Sequence, residues 1–174
     1  PGAAHAGVRL RPSRGSVRLV ASDSPAGLTV ATVSDIVSAL GHPNTQATHT
    51  TTLEVTRERG VTRRGDCIVA VAAEKACSSL APDLRRALMT DGSRVEVRIS
   101  CGGEEDVVVA EGSRRLTLSS RVSIVVRRSG YVCDRTLAVR ADKAAADLSR
   151  ALIEQVARGL PVSVVIAVTG DEDG

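Results

Sequence analysis

Aromatic residues are almost missing from this chain: there is no Trp, no Phe and a single Tyr, at position 131. A core without rings is built from Val, Leu, Ile and Ala, which favours thin layers of strands and small-faced helices. The same shortage argues against single-strand recognition by base stacking, which depends on aromatic faces. Lysine is nearly missing too, with 2 residues against 21 Arg, a skew that GC-rich coding produces without any functional cause. None of Cys67, Cys77, Cys101 and Cys133 belongs to a C-x-x-C pair. That spacing excludes zinc ribbons and knuckles and argues against a secreted disulfide framework. Free, buried thiols in a reducing, cytoplasmic setting are expected instead. No run approaches the ~20 apolar residues of a membrane span, so no membrane partner is expected. Glycine-rich phosphate-loop and dinucleotide-binding motifs are also missing, and no cofactor is expected.

What is present fits one globular domain: 174 residues, 43% hydrophobic and 25% charged. The net charge of +3 is low for a nucleic-acid binder. Two arginine clusters stand out, Arg57/Arg59/Arg63/Arg64 and Arg114/Arg115/Arg121/Arg127/Arg128. Each is read as a solvated face or as a phosphate track. Residues 1–34 are expected to be a basic, poorly ordered leader or an extra strand. The chain opens on Pro1, as a fragment or a processed form would. Residues 35–170 form the domain, and 171–174 form an acidic tail.

The strongest internal signal is a repeat. Asp66–Leu84 aligns with Asp134–Leu152 with identities at Asp66/Asp134, Ala70/Ala138, Val71/Val139, Ala73/Ala141, Lys75/Lys143, Ala76/Ala144, Leu80/Leu148 and Leu84/Leu152. The match continues upstream, where Asp35–Gly41 meets Asp106–Gly112, and downstream, where Val95/Val97/Ile99 meet Val162/Val164/Ile166. A period this long is not that of a solenoid. The pattern predicts an α/β fold of α+β type: two β-β-β-α-β units, 35–102 and 106–168, related by a pseudo-twofold axis. Strands are expected at 36–40, 49–56, 67–72 and 94–100, and at 107–111, 120–127, 135–140 and 161–168. Helices are expected at about 79–90, capped by Ser79, and 144–158. Their stripes are Leu80/Leu84/Leu88 and Leu148/Leu152/Val156.

Four ordered motifs carry a family resemblance. They are Gly41-His42-Pro43-Asn44, Ala47-Thr48-His49-Thr50-Thr51-Thr52-Leu53-Glu54-Val55-Thr56, Arg64-Gly65-Asp66-Cys67-Ile68, and Arg140-Ala141-Asp142-Lys143-Ala144-Ala145-Ala146-Asp147-Leu148. Over roughly 35–168 the chain resembles the archaeal domain of unknown function 371 family, with Glu74 standing where that pattern has Asp. The resemblance implies an intracellular, archaeal-type protein and carries no activity with it.

Candidate site residues come from the places where the two units differ. His42, Asn44 and His49 of the first are Ser113, Arg115 and Ser120 in the second, and Cys67 becomes Arg135. A strand over 49–56 that buries Leu53 and Val55 also turns His49 and Thr51 inward. An inward His is either a hydrogen-bonded core residue or a ligand-binding one. His42, His49, Asp66 and Cys67 are zinc-compatible types. Adjacent strand residues point to opposite faces, however, so no metal site is expected. A Cys67 nucleophile with His49 as base is formally open. The two lysines, Lys75 and Lys143, occupy matched positions before the helices. They are read as ion-paired or as ammonium groups for an anion near helix N-termini. The favoured function is binding, or catalysis, on a small anionic or phosphate-bearing ligand through His42, Asn44, His49, Thr51, Lys75 and Lys143. The alternatives are an RNA- or ribonucleoprotein-associated module using the arginines and an assembly protein pairing through exposed strands.

Overall fold

The computed structural model describes residues 16–21 and 29–169. In chain order its elements are strands β1 (Ser16–Ala21), β2 (Thr29–Leu40), β3 (Thr52–Thr56) and β4 (Ile68–Ala70), helix α1 (Pro82–Leu88), strands β5 (Arg94–Cys101), β6 (Glu104–Glu111), β7 (Ser123–Arg127) and β8 (Thr136–Ala138), helix α2 (Arg150–Ala157) and strand β9 (Pro161–Thr169). The architecture is mixed α and β, with two sheets and two α-helices among the described residues. No helix among the described residues is long and apolar enough to cross a membrane. The acidic tail and most of the proposed leader lie outside the described residues. Positions 16–21 and 29–34 within that leader form an antiparallel pair.

Alternating valines make the larger sheet. β5 and β9 bury Val95, Val97, Ile99, Val162, Val164, Ile166 and Val168 on one side, as period-2 patterning requires. They pair antiparallel at the centre of a sheet ordered β1-β2-β9-β5-β6. The smaller sheet is ordered β4-β3-β7-β8. Its central pair is antiparallel, and each outer strand runs parallel to its neighbour. Leu53, Val55, Ile124 and Val126 join the inward valines, Leu84, Leu88, Leu152 and Val156 in one continuous core.

Several predicted elements shorten. β3 begins at Thr52 rather than 49, and β7 at Ser123 rather than 120. The residues before each strand close a side-chain turn and do not join the ladder. β3 is also buried on both faces, with Glu54 and Thr56 at 9% and 2% exposure, so simple alternation does not describe it. The helices start later than their leucine stripes. Leu80 and Leu148 are buried but extended, and each follows a single 3-10 turn, 77–79 or 145–147. Ser79 and Asp147 draw backbone back into those turns by accepting from Ala76 N at 3.0 Å and Ala144 N at 2.9 Å. Ser79 therefore caps the 3-10 turn, and Ala81 leads into Pro82 at the first turn of α1. Ser149 caps α2 by accepting from Leu152 N at 3.4 Å.

The sheet edges are closed in the same way in both halves. β1 covers β2 only as far as Ser34. Beyond it, Leu40 and Val71 exchange hydrogen bonds of 2.8 Å, and Glu74 N donates to Ser38 O at 3.0 Å. The Glu74 carboxylate accepts from Ser38 N at 3.2 Å, and Lys75 Nζ donates to Ile36 O at 3.2 Å. On β6, Glu111 and Val139 exchange bonds of 2.8 and 2.9 Å, and Asp142 N donates to Val109 O at 2.9 Å. Asp142 Oδ1 accepts from Val109 N at 2.9 Å, and Lys143 Nζ donates to Val107 O at 3.1 Å. These contacts use up the polar edge that would otherwise recruit another strand.

Candidate anion-binding site

Both candidate histidines, His42 and His49, close turns. His42 Nδ1 accepts from Asn44 N at 3.0 Å. His49 Nδ1 accepts from Thr51 N at 3.2 Å and Thr52 N at 3.1 Å, with the Thr52 hydroxyl at 3.0 Å. Backbone N–H groups only donate, so Nδ1 of each ring carries the lone pair and Nε2 the proton. The second half makes the same turns with hydroxyls. Ser113 Oγ accepts from Arg115 N at 3.2 Å, and Ser120 Oγ accepts from Val122 N and Ser123 N at 3.3 and 3.1 Å. Each of these two histidines thus does a serine's work at Nδ1, and Nε2 takes no part in the turn.

Of the predicted residues, His42 lines a concavity. That hollow, of ≈ 490 Å³, is bounded by Leu40, Gly41, His42, Arg59, Val71 and Ala72. Asn44 stands behind it, where Nδ2 donates to Val61 O at 3.1 Å and ties the 57–67 loop to the His42 turn. Ala72 has a φ of 51°, a left-handed conformation that costs a non-glycine residue energy. Its N–H donates to Glu58 O at 2.7 Å. No carboxylate lines the hollow, and Arg59 forms no ion pair among the described residues. His49 sits apart, half-buried against the other half of the chain, where its carbonyl accepts from Ala146 N at 3.0 Å. Thr51 beside it is exposed, and not inward as a longer β3 would have placed it.

The lysines do not converge. Lys75 Nζ lies 2.7 Å from Asp35 Oδ1, and Lys143 Nζ lies 2.6 Å from Asp106 Oδ1. Asp35 Oδ2 also accepts from Ala81 N at 2.9 Å and Asp106 Oδ2 from Ser149 N at 2.8 Å, the backbone groups that lead into α1 and α2. The anion facing each lysine and helix start is therefore the protein's own. Burial acts to raise the Asp106 pKa, but hydrogen bonds from Lys143, Ser149 N and Val107 N outweigh it and hold the carboxyl below its ordinary value. Lys143 is raised in turn, chiefly by the hydrogen bond to Asp106. Asp35 and Asp106 lie on β2 and β6 with two strands between them, a backbone separation of roughly 15 Å at the usual strand spacing.

A second hollow, of ≈ 500 Å³, occupies the corresponding place beside β6, and Arg94, Glu111, Arg140 and Asp142 line it. Arg140 has Ala72's left-handed φ, 51°. Its guanidinium is 3.7 Å from Glu111, so the charge is answered locally. Cys67, Cys77, Cys101 and Cys133 are free. Burial, then Glu54, pushes the Cys67 thiol up to about 11, the opposite of what a nucleophile paired with His49 needs. Among the described residues no three His, Cys, Asp or Glu side chains group as a metal site would.

Two comparisons bear on identity. The family model described as Domain of unknown function (DUF371) matches residues 37–169. An uncharacterized protein of Methanocaldococcus jannaschii, MJ0206, is 35% identical over 124 residues, covering 71% of this chain and 91% of that protein.

Proposed function

We propose that this chain, which belongs to the DUF371 family, binds a small anionic or phosphate-bearing ligand in the hollow between the His42 turn and Arg59. The observation that carries the reading is an unpaired guanidinium beside an imidazole in a concavity with no acid in its wall. Arg59 offers a planar fork of donors to phosphate or carboxylate oxygens, and His42 Nε2–H adds a further donor. Asn44 holds the turn and the loop in register. His49 and Thr51 contribute to the neighbouring turn, Lys75 fixes the sheet edge on which the hollow is built, and Lys143 fixes the matching edge at β6. Four free thiols support a reducing, cytoplasmic setting.

The asymmetry has a simple origin if the domain, 35–170, is an internal duplication with a pseudo-twofold axis. The repeated edge contacts, turns and 3-10 segments support that reading, as does the pairing of Glu54 with its own repeat equivalent, Val125. One half then keeps a binding surface and the other serves as its scaffold.

Thermal shift tests the site, with inorganic phosphate, pyrophosphate, sulfate and a nucleoside triphosphate as probes. A bound anion at about 100-fold over its Kd stabilises by ~2.7 kcal/mol, a rise of about 5 °C or more. His42→Ser and Arg59→Gln should each remove that rise while leaving the unliganded melting temperature in place. Absence of any shift in the wild type at millimolar anion overturns the reading. A second reading rests on Arg57, Arg59, Arg63 and Arg64, all exposed and outside the ion pairs above, with Arg57 donating to Arg121 O at 3.4 Å. If they track an RNA backbone, affinity falls steeply with salt, and a small anion does not compete at low concentration.

A further inference from the structure

Exposed apolar side chains gather beside the His42–Arg59 hollow. Among the described residues the large hydrophobics left most open to solvent are Ile36, Leu40, Val122 and Tyr131. Two of these four, Ile36 and Leu40, sit on one face of β2, because Val37 and Ala39 between them point into the core. Leu40 is 45% exposed and forms part of the hollow's wall. Across the ladder on β9, exposed Pro161 stands opposite Leu40 and half-buried Val165 opposite Ile36. Cross-strand partners share a face, so these four make an apolar strip that leaves the hollow at Leu40 and runs about 13 Å along β2 to Ile36. Ser38 and Ser163, the pair in between, are uncharged.

The charge in the hollow suits a single anionic group. Arg59 is the cation in its wall, and the His42 ring is neutral, since its Nδ1 accepts from Asn44 N at 3.0 Å. Leu40, Gly41, Val71 and Ala72 supply the rest of the lining. A polyphosphate seated there would bury several charges against one guanidinium and an apolar wall, which is costly. The hollow beside β6 differs at the matching place. Its counterpart of the Leu40–Val71 bridge is Glu111–Val139, so a carboxylate stands where Leu40 does, and Arg140 answers it.

We infer that the ligand of the His42–Arg59 hollow is an amphiphilic anion, a phosphate monoester carrying an alkyl chain and dispersed in water. The inference rests on the reading that this hollow holds an anionic group. The Arg59 fork and His42 Nε2–H take the terminal oxygens of the head. The chain covers Leu40 and Pro161 first, then Ile36 and Val165, and removes from water an apolar surface that an inorganic ion leaves wet. Such a ligand accounts together for a guanidinium with no acid beside it and for two large aliphatic side chains left open on a sheet whose other face is packed. The rest of the open face is balanced, with Arg94 paired to Glu96 and Arg98 to Glu105. It offers an anionic bilayer no basic collar, which favours a dispersed molecule over a membrane surface.

Calorimetric titration of the full chain with ethyl, butyl, hexyl and octyl phosphate, each below its micelle concentration, reads the chain directly. Affinity should rise about twofold per methylene, the gain of a chain half-covered on an open face. Octanol, which lacks the charge, should not bind. Ile36→Ser should cut the ratio of octyl to ethyl affinity at least about threefold, and Val165→Ser gives the same readout should the first variant fold poorly. That ratio is taken within one protein, so a general loss of stability does not imitate the effect. Inorganic phosphate bound as tightly as octyl phosphate overturns the amphiphile and leaves the anion hollow standing, whereas no binding of any anion overturns both. Octanol bound as well as octyl phosphate also overturns the proposal. Binding to phosphatidic acid vesicles with none to octyl phosphate gives the strip to a membrane surface, and a dimer in sedimentation that Leu40→Ser dissolves gives it to a second copy of the chain. Either result sinks the dispersed ligand.

Discussion

The first half of the domain, through β5, and the second, from β6 onward, share turns, edge contacts and helix starts but differ in how the arginines of the β3–β4 connection and those of residues 128–140 are answered. In the second half Arg128 meets Asp147, Arg135 meets Glu54 and Arg140 meets Glu111. In the first, Arg57, Arg59, Arg63 and Arg64 have no acidic partner among the described residues, and the Ser113 and Ser120 turns are made with imidazoles. The scaffold demands the hydrogen bond at each turn; it does not demand histidine. What exceeds the scaffold's needs in one half and is absent from the other is the best guide to where a ligand sits.

The largest expected effect tests what the halves hold in common. A Cβ on Gly41 would lie 2.1 Å from Val156 O, and one on Gly112 would lie 2.4 Å from Leu88 O and 2.1 Å from Ser93 Oγ. Gly41→Ala and Gly112→Ala should each cost on the order of 3 kcal/mol by urea titration, because backbone must move. A difference of more than about 1 kcal/mol between them would break the equivalence of the halves at these positions.

The carboxylates come next. Asp35→Asn and Asp106→Asn each leave a lysine without its anion, at a cost of about 2 kcal/mol. Asp35 should cost more, because its side chain is 6% exposed against 15% for Asp106. Acid titration sharpens this pair. The fold favours the ionised form of Asp106, whose pKa is lowered. Its contribution is therefore full above the ordinary carboxylate pKa and is lost as pH falls through the lowered one. In Asp106→Asn the acid limb of the stability curve should flatten, which pH-dependent melting measures.

The smallest effect is the most informative about the site. His42→Ser and His49→Ser should each change stability by less than about 0.5 kcal/mol, since Ser113 and Ser120 close the same turns. His49→Ala should cost about 1 kcal/mol, the value of a lost side-chain cap. If His49→Ser destabilises as much as His49→Ala, the imidazole is a packing residue and the comparison with Ser120 fails.

Much of this was legible in the sequence. The alternating valines of β5 and β9 and the leucine stripes of both helices gave elements close to those observed, and the four ordered motifs were enough to name the family. β3 was misjudged at its start because His49 closes a turn with its side chain, and hydropathy does not register that use of a histidine. The burial of Glu54 and Thr56 was equally hidden, since β3 has cover on both faces. The matched lysines were noticed, but the acids that satisfy them, Asp35 and Asp106, are 40 and 37 residues away in the chain.

The strand order has a consequence for biosynthesis. The last described strand, β9, lies between β2 and β5. Until residues 161–169 have been made, β2 and β5 each offer the growing chain an unpaired, valine-rich edge with nothing to fill the gap between them. Such edges are templates for pairing with other chains. The larger sheet cannot close while its central strand is still in the ribosome, so it closes only once β9 has emerged, in a step dominated by contacts distant in sequence. A premature stop before β9 removes the middle of the sheet, and the shortened product should be a substrate for aggregation or proteolysis.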